Sequence, residues 1–123
     1  MTINNVFEIF MSKFPQLYAD ISQNLKDNMV DTNDGIYVLW GMGVMPCINK
    51  IIDDIGNYED VVLGIFDFFE EMANGDEEEL KELLMYSTLE KLGDDGNRLE
   101  ISRQFMKKET KILSDKVETF FGR

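Results

Sequence analysis

The chain of 123 residues contains no histidine, one cysteine and two prolines. Without histidine there is no imidazole to act as a general base at neutral pH. The single Cys47 excludes an internal disulfide, which fits a reducing compartment such as the cytoplasm. We expect its thiol to be a small buried apolar group and not a nucleophile. Because prolines occur only at positions 15 and 46, few positions forbid a helix.

Long apolar runs are missing as well. No stretch approaches the ~20 consecutive apolar residues that span a bilayer. The first residues, MTINNVFEIFMSKF, lack the basic start and the continuous apolar segment of a signal peptide. The sequence therefore predicts a cytoplasmic protein with no membrane segment.

Basic residues are scarce, with 12 Lys and Arg against 24 Asp and Glu and a net charge of −12. Binding to nucleic acid or to an anionic membrane needs clustered bases, so we expect neither partner. The acidity is regional, because residues 53–82 hold twelve acidic residues and one base, Lys81. Elsewhere along the chain acids and bases almost balance.

Strong helix formers and regular apolar spacing dominate what is present. Leu, Glu, Lys and Met are plentiful, and apolar residues recur at three- and four-residue steps. Short Gly-, Asp- and Asn-containing turns separate these segments, as in helix hairpins. We predict one domain, 1–123, folded as a compact all-α bundle of five or six helices. Helices are expected at 3–14, 58–73 and 98–121, with further ones opening at Pro15 and after Asp76.

Turn residues predict several helix ends. Asn57 and Asp76 are placed to act as N-caps, and Glu79 would complete a capping box with Asp76. Gly75 would adopt the left-handed conformation at the end of its helix. Asn97, with an acid three residues later, repeats the capping pattern.

The stretch 36–55 permits two interpretations. Residues 36–40 would suit a buried strand, whereas the isoleucines from Ile48 onward have helical spacing. We favour a mostly helical segment with a break between Gly41 and Pro46, and keep a short strand at 36–40 as the alternative. The glycines are expected to let a neighbouring element approach closely.

Acidic residues in 53–82 have three possible roles. Asp67 with Glu70, and Glu79 with Glu82, are three residues apart and can share a helical face. All-α nucleotide pyrophosphohydrolases hold Mg²⁺ with pairs of this kind, so a metal-dependent hydrolase is one alternative. A second is a helical scaffold with a solvated face. No nucleotide-gripping cluster of bases and aromatics accompanies the pairs, and we expect no metal ion or cofactor.

Binding to a basic protein is the role that we favour. Like charges one helical turn apart cost a few tenths of a kcal/mol per pair. So many of them in one segment destabilise the helices, and a binding role would explain why they occur. A concentrated negative field raises association rates with a basic partner roughly ten- to a thousandfold. The expected contact residues are Asp60, Asp67, Glu70, Glu71, Glu77, Glu78 and Glu82.

Residues 65–92, IFDFFEEMANGDEEELKELLMYSTLEKL, resemble a segment of a small bacterial helical family. The likeness lies in a Phe-rich helix ending in Glu70 and Glu71, the turn 75–78, and a helix closing on Leu89 and Leu92. Some members are immunity proteins for polymorphic or contact-dependent growth-inhibition toxins. The resemblance implies a non-enzymatic, cytoplasmic, antitoxin-like inhibitor. Many such toxins are nucleases with basic clefts, which an acidic helical face would block by imitating phosphate.

Overall fold

Seven helices and no strand make up the computed structural model, which describes all residues from 1 to 123. The helices are α1 (Val6–Lys13), α2 (Tyr18–Asp27), α3 (36–53), α4 (Glu59–Asn74), α5 (78–93), α6 (Gly96–Arg103) and α7 (Lys108–Phe121). The all-α prediction is confirmed, with seven helices in place of five or six. Pro15 opens a short 3₁₀ turn that leads into α2, as its fixed φ and missing N–H favour.

None of these helices combines the length and the apolar character needed to cross a membrane.

A single apolar core of 29 buried residues joins the helices. Aromatic rings occupy its centre, where Phe10 of α1 meets Trp40 of α3 and Phe68 of α4 edge-on, each at a centroid distance of 5.3 Å. Edge-to-face rings place the positive edge of one against the negative face of the other, which adds to the free energy gained by burial. The N-terminal helix is thereby fixed to the middle of the chain.

Helix α3 passes without interruption through the stretch that the sequence left open. The predicted break between Gly41 and Pro46 and the alternative strand at 36–40 are both wrong. The helix instead widens into a π-helical turn, Trp40–Val44, which ends two residues before Pro46. Proline lacks an N–H and its ring crowds the carbonyl one turn earlier, so a widened turn allows the helix to continue.

A second π-helical turn, Met85–Leu89, interrupts α5 and packs against the first. The Trp40 indole Nε1 donates a hydrogen bond of 2.9 Å to the Thr88 hydroxyl, which donates in turn to the Leu83 carbonyl at 3.2 Å. Both side chains are fully buried, so this bond satisfies polar groups that water cannot reach. It fixes α3 against α5.

Several predicted helix ends differ from the observed ones around the α4–α5 turn. Gly75 has φ −73° and ψ 168°, an extended conformation that any residue can adopt and not the left-handed one. The predicted capping box does not form, since α5 starts after Glu77 without any side-chain cap. Asp76 and Glu79 therefore remain free of a capping role. Asn57 does not cap α4 either, because Tyr58 stands at the N-cap position and no side chain accepts from the first turn. The Asn57 amide instead donates to the Asp54 carboxylate.

The predicted helix 98–121 is two helices, separated at residues 104–107. Asp95, and not Asn97, caps α6, accepting from the backbone N–H groups of Asn97 at 2.9 Å and Arg98 at 3.1 Å. The predicted start of the first helix at residue 3 is also early, since α1 begins at Val6.

Close approach of α2 to α3 depends on Gly43, which is the role expected for a glycine in this stretch. A Cβ at this position would lie 2.8 Å from Leu25 Cδ2, closer than van der Waals contact permits. The Asn24 amide also donates to the Gly43 carbonyl at 3.1 Å. Gly41, two residues earlier in the same π-helical turn, faces open space.

These two glycines make a matched pair for a stability test. G41A should raise the free energy of unfolding by up to about 1 kcal/mol, because alanine has the higher helix propensity. G43A should come out about 1–3 kcal/mol less stable than G41A, because its methyl group overpacks the contact with Leu25. Urea unfolding of both variants measures the difference. Equal stabilities would contradict the close packing of α2 on α3.

Candidate protein-binding surface

Glu70 of α4 serves inside the molecule as the cap of another helix. Its Oε2 accepts from the Glu109 backbone N–H at 3.0 Å. Its Oε1 accepts from the Thr110 backbone N–H at 2.9 Å and from the Thr110 hydroxyl at 2.8 Å. No side chain at the start of α7 performs this role. Glu70 thus satisfies backbone donors that every helix N-terminus leaves free, and its charge is favourable there.

The pKa of Glu70 reflects these contacts. Partial burial raises the pKa, but the bonds from Thr110, Glu109 and Asn74 outweigh burial and leave it below the ordinary value for glutamate. Hydrogen bonds donated to a carboxylate stabilise its charged form. The side chain is half-buried and both of its oxygens accept bonds within the chain, so Glu70 is less accessible to a partner than the exposed acids.

Three more acids from 53–82 form ion pairs within the chain. Asp53 receives two bonds of 2.8 Å from the Arg98 guanidinium, which lower the pKa of this carboxyl. The other two pairs are Asp67 with Lys107 at 2.7 Å and Glu71 with Lys13 at 3.4 Å. The Asp67 and Glu71 carboxylates stay accessible to a partner, but part of their charge is neutralised.

Five carboxylates at the α4–α5 turn have no ion pair and are all exposed. We call this group the acidic corner; it consists of Asp76, Glu77, Glu78, Glu79 and Glu82. The sequence predicts three of these, Glu77, Glu78 and Glu82, as contact residues, and Asp76 and Glu79 as a capping box. Neither of those two caps a helix, and both are exposed.

Asp60 does not join the acidic corner. It lies in the first turn of α4, at the opposite end of that helix from the α4–α5 turn. At 1.5 Å per residue, the rise from Asp60 to Asn74 is about 21 Å. The predicted contact residues therefore do not form one continuous face.

Tyr37 is a neighbour of the acidic corner that sequence reasoning missed. Burial raises the pKa of its phenol above the ordinary value, and the nearby charges of Glu82 and Glu79 raise it further. Tyr37 is 47% exposed and lines a cleft of about 460 Å³, together with Phe7, Glu8 and Glu79. Tyr37 lies in the stretch whose structure the sequence left open, so its position next to α5 could not be anticipated.

The two carboxylate pairs that a metal-dependent hydrolase would use, Asp67 with Glu70 and Glu79 with Glu82, do not form a common metal site. Glu70 is used by the N-terminus of α7, and Asp67 holds Lys107. No three side chains of the His, Cys, Asp or Glu type are arranged to hold a metal ion.

Cys47 is buried in α3, as expected. Burial raises the pKa of its thiol to about 11, with the Asp20 charge adding to the effect and Lys50 opposing it. The thiol therefore stays protonated at neutral pH, and an unreactive, packed cysteine is the role that this geometry supports.

Comparison with known proteins assigns the chain to a family through nearly its whole length. A family model described as a domain of unknown function, DUF7674, matches residues 7–122. The chain belongs to this family. No curated protein and no solved structure matches it. The matched DUF7674 range includes Glu70, its α7 contacts and the acidic corner. The likeness of residues 65–92 to immunity proteins stays a prediction.

Neutralising Glu70, which caps α7, should destabilise this DUF7674 domain. E70Q removes the charge and one acceptor from the α7 N-terminus, and we expect the free energy of unfolding to fall by about 1–2 kcal/mol. E71Q, next to it and engaged only in an exposed ion pair, should change stability by less than about 0.5 kcal/mol. Urea unfolding at neutral pH measures both. Equal losses would contradict the capping role of Glu70.

Low pH should remove the stabilisation that Glu70 gives to α7. The pKa of Glu70 is lower in the folded state than the ~4.3 of an unfolded chain, so its contribution is fully present above that value. It should be lost as the pH falls through the folded-state pKa. The stability gap between wild type and E70Q should therefore be constant from neutral pH to about pH 5 and shrink below pH 4. A gap that does not change with pH would contradict the assigned pKa.

Proposed function

We propose that the chain is a non-enzymatic immunity protein that acts in the cytoplasm and blocks a basic toxin domain, a nuclease. The observation that carries this proposal is the acidic corner. Asp53 and Glu70 are used inside the molecule, whereas these five exposed carboxylates have no ion pair and lie within seven consecutive residues, 76–82. A surface that only had to be soluble would mix charges of both signs.

Repulsion within the acidic corner supports a binding role. Glu78 and Glu82 lie one helical turn apart, and like charges at this spacing destabilise a helix. A basic partner would relieve this repulsion on binding. The resulting affinity should weaken with salt, because exposed charges are screened over a Debye length of about 10 Å at 0.1 M.

Tyr37 gives the proposed surface an aromatic element. It is partly exposed beside Glu79 and Glu82, so an arginine of the partner could stack on the ring while pairing with a carboxylate. Tyrosine and arginine are enriched among the residues that dominate interface energies. The phosphate groups of a nuclease substrate present negative charge to the same kind of arginine and lysine cleft. Occupation of that cleft by the acidic corner would exclude the substrate.

Capture of the partner is the first experiment. The proposed partner is the C-terminal domain of the protein that is encoded immediately upstream. This domain should bind the purified chain at low salt and dissociate in part at moderate salt. It should lose its toxic activity when bound. No complex at either salt concentration would remove that domain as the partner.

Neutralising the acidic corner should then slow association. In the variant D76N/E77Q/E79Q/E82Q the association rate should fall at least about tenfold, and its dependence on salt should flatten. Surface plasmon resonance over a salt series measures both, and circular dichroism checks that the melting temperature is retained.

Glu59 and Asp60 provide the matched control. Both are exposed acids in the first turn of α4, away from the corner. E59Q/D60N should leave the association rate within about twofold, because their separation of roughly 20 Å exceeds the Debye length at 0.1 M salt. If both variants slow association equally, net charge and not the acidic corner would govern binding.

A further inference from the structure

A groove between α5 and α7 is the second surface with unused charge. Its volume is about 320 Å³, and Ala73, Met85, Ile112 and Leu113 supply its apolar lining. The charged residues that line the same groove are Glu78, Lys81, Glu109 and Lys116. None of these four forms an ion pair within the chain. The groove therefore has an apolar floor and a rim of two acids and two lysines.

The apolar surface continues along α7. An open hollow of about 540 Å³ adjoins the groove, since Ile112 and Lys116 line both, and Phe120 lies two turns further along the helix. Ile112 is 41% exposed and Phe120 is 80% exposed. Apolar groups that share one helix face with unpaired charges on either side are typical of a contact between proteins.

We propose that this groove is where a second copy of the same chain binds, in a two-fold symmetric dimer. A two-fold interface places one patch against itself, so the patch must be self-complementary. The rim suits this arrangement, because its two acids and two lysines make it neutral overall, so two copies of it do not repel each other. A partner of one charge sign would instead repel half of the rim. The proposal is independent of the immunity function and shares only Glu78 with the acidic corner.

Sedimentation velocity over a concentration series tests the dimer. The wild type should shift from the monomer mass of 14.3 kDa towards twice that value as concentration rises. I112E should weaken the dimer at least about tenfold, because it places a charge on the apolar floor. L63E is the matched control, since Leu63 is 49% exposed on α4 and does not line the groove. A monomer at every concentration, or equal effects of the two variants, would overturn the proposal.

A charge exchange tests the self-complementarity itself. K81E/K116E gives an all-acidic rim, and E78K/E109Q gives a rim without acids. Each variant alone should be monomeric, because its two copies would repel. An equimolar mixture should form a heterodimer of about twice the monomer mass. Circular dichroism confirms that both variants fold. Failure of the mixture to associate, or dimerisation of either variant alone, would contradict the proposed pairing.

Discussion

The capping of α7 by Glu70 is the interaction on which the second half of the molecule depends. Helix α7 has no capping side chain of its own, yet it buries Leu113 and Val117 in the core. The carboxylate of a helix nearly forty residues earlier supplies what the N-terminus lacks, with three contacts between 2.8 and 3.0 Å. At the other end, Arg123 pairs with Asp94 and Glu118. Both ends of α7 are thus held by charged groups.

This internal use of charge explains why the acidic segment is not one uniform surface. Asp53, Asp67, Glu70 and Glu71 connect α3 and α4 to other parts of the chain, whereas the acidic corner is exposed and has no ion pairs. The carboxylates of the first group stabilise the fold, or their charge is partly neutralised by a lysine. The acidic corner leaves a local excess of negative charge where α4 turns into α5. A protein that blocks a basic cleft needs this second kind of surface.

Much of the helical architecture could be predicted from local sequence, because apolar spacing and helix propensity act over one or two turns. The contacts that decide the site act across the chain. Nothing near residues 104–107 indicates that Glu70 caps the helix that follows, and nothing near Asp76 indicates that its capping box is absent. Tyr37 lies in α3, which packs on α5 through two π-helical turns and the Trp40–Thr88 bond. Long-range packing, and not propensity, determines which acids are free.

Amide chemical-shift mapping of the complex tests the central claim most directly. When the toxin domain that we propose as the partner is added to the ¹⁵N-labelled chain, we expect the largest shifts at residues 75–82 and at Tyr37. The amides of Glu109 and Thr110, which are bonded to Glu70, should shift little. Shifts centred on Glu109 and Thr110, or on the start of α4, would contradict the division between structural and partner-binding acids.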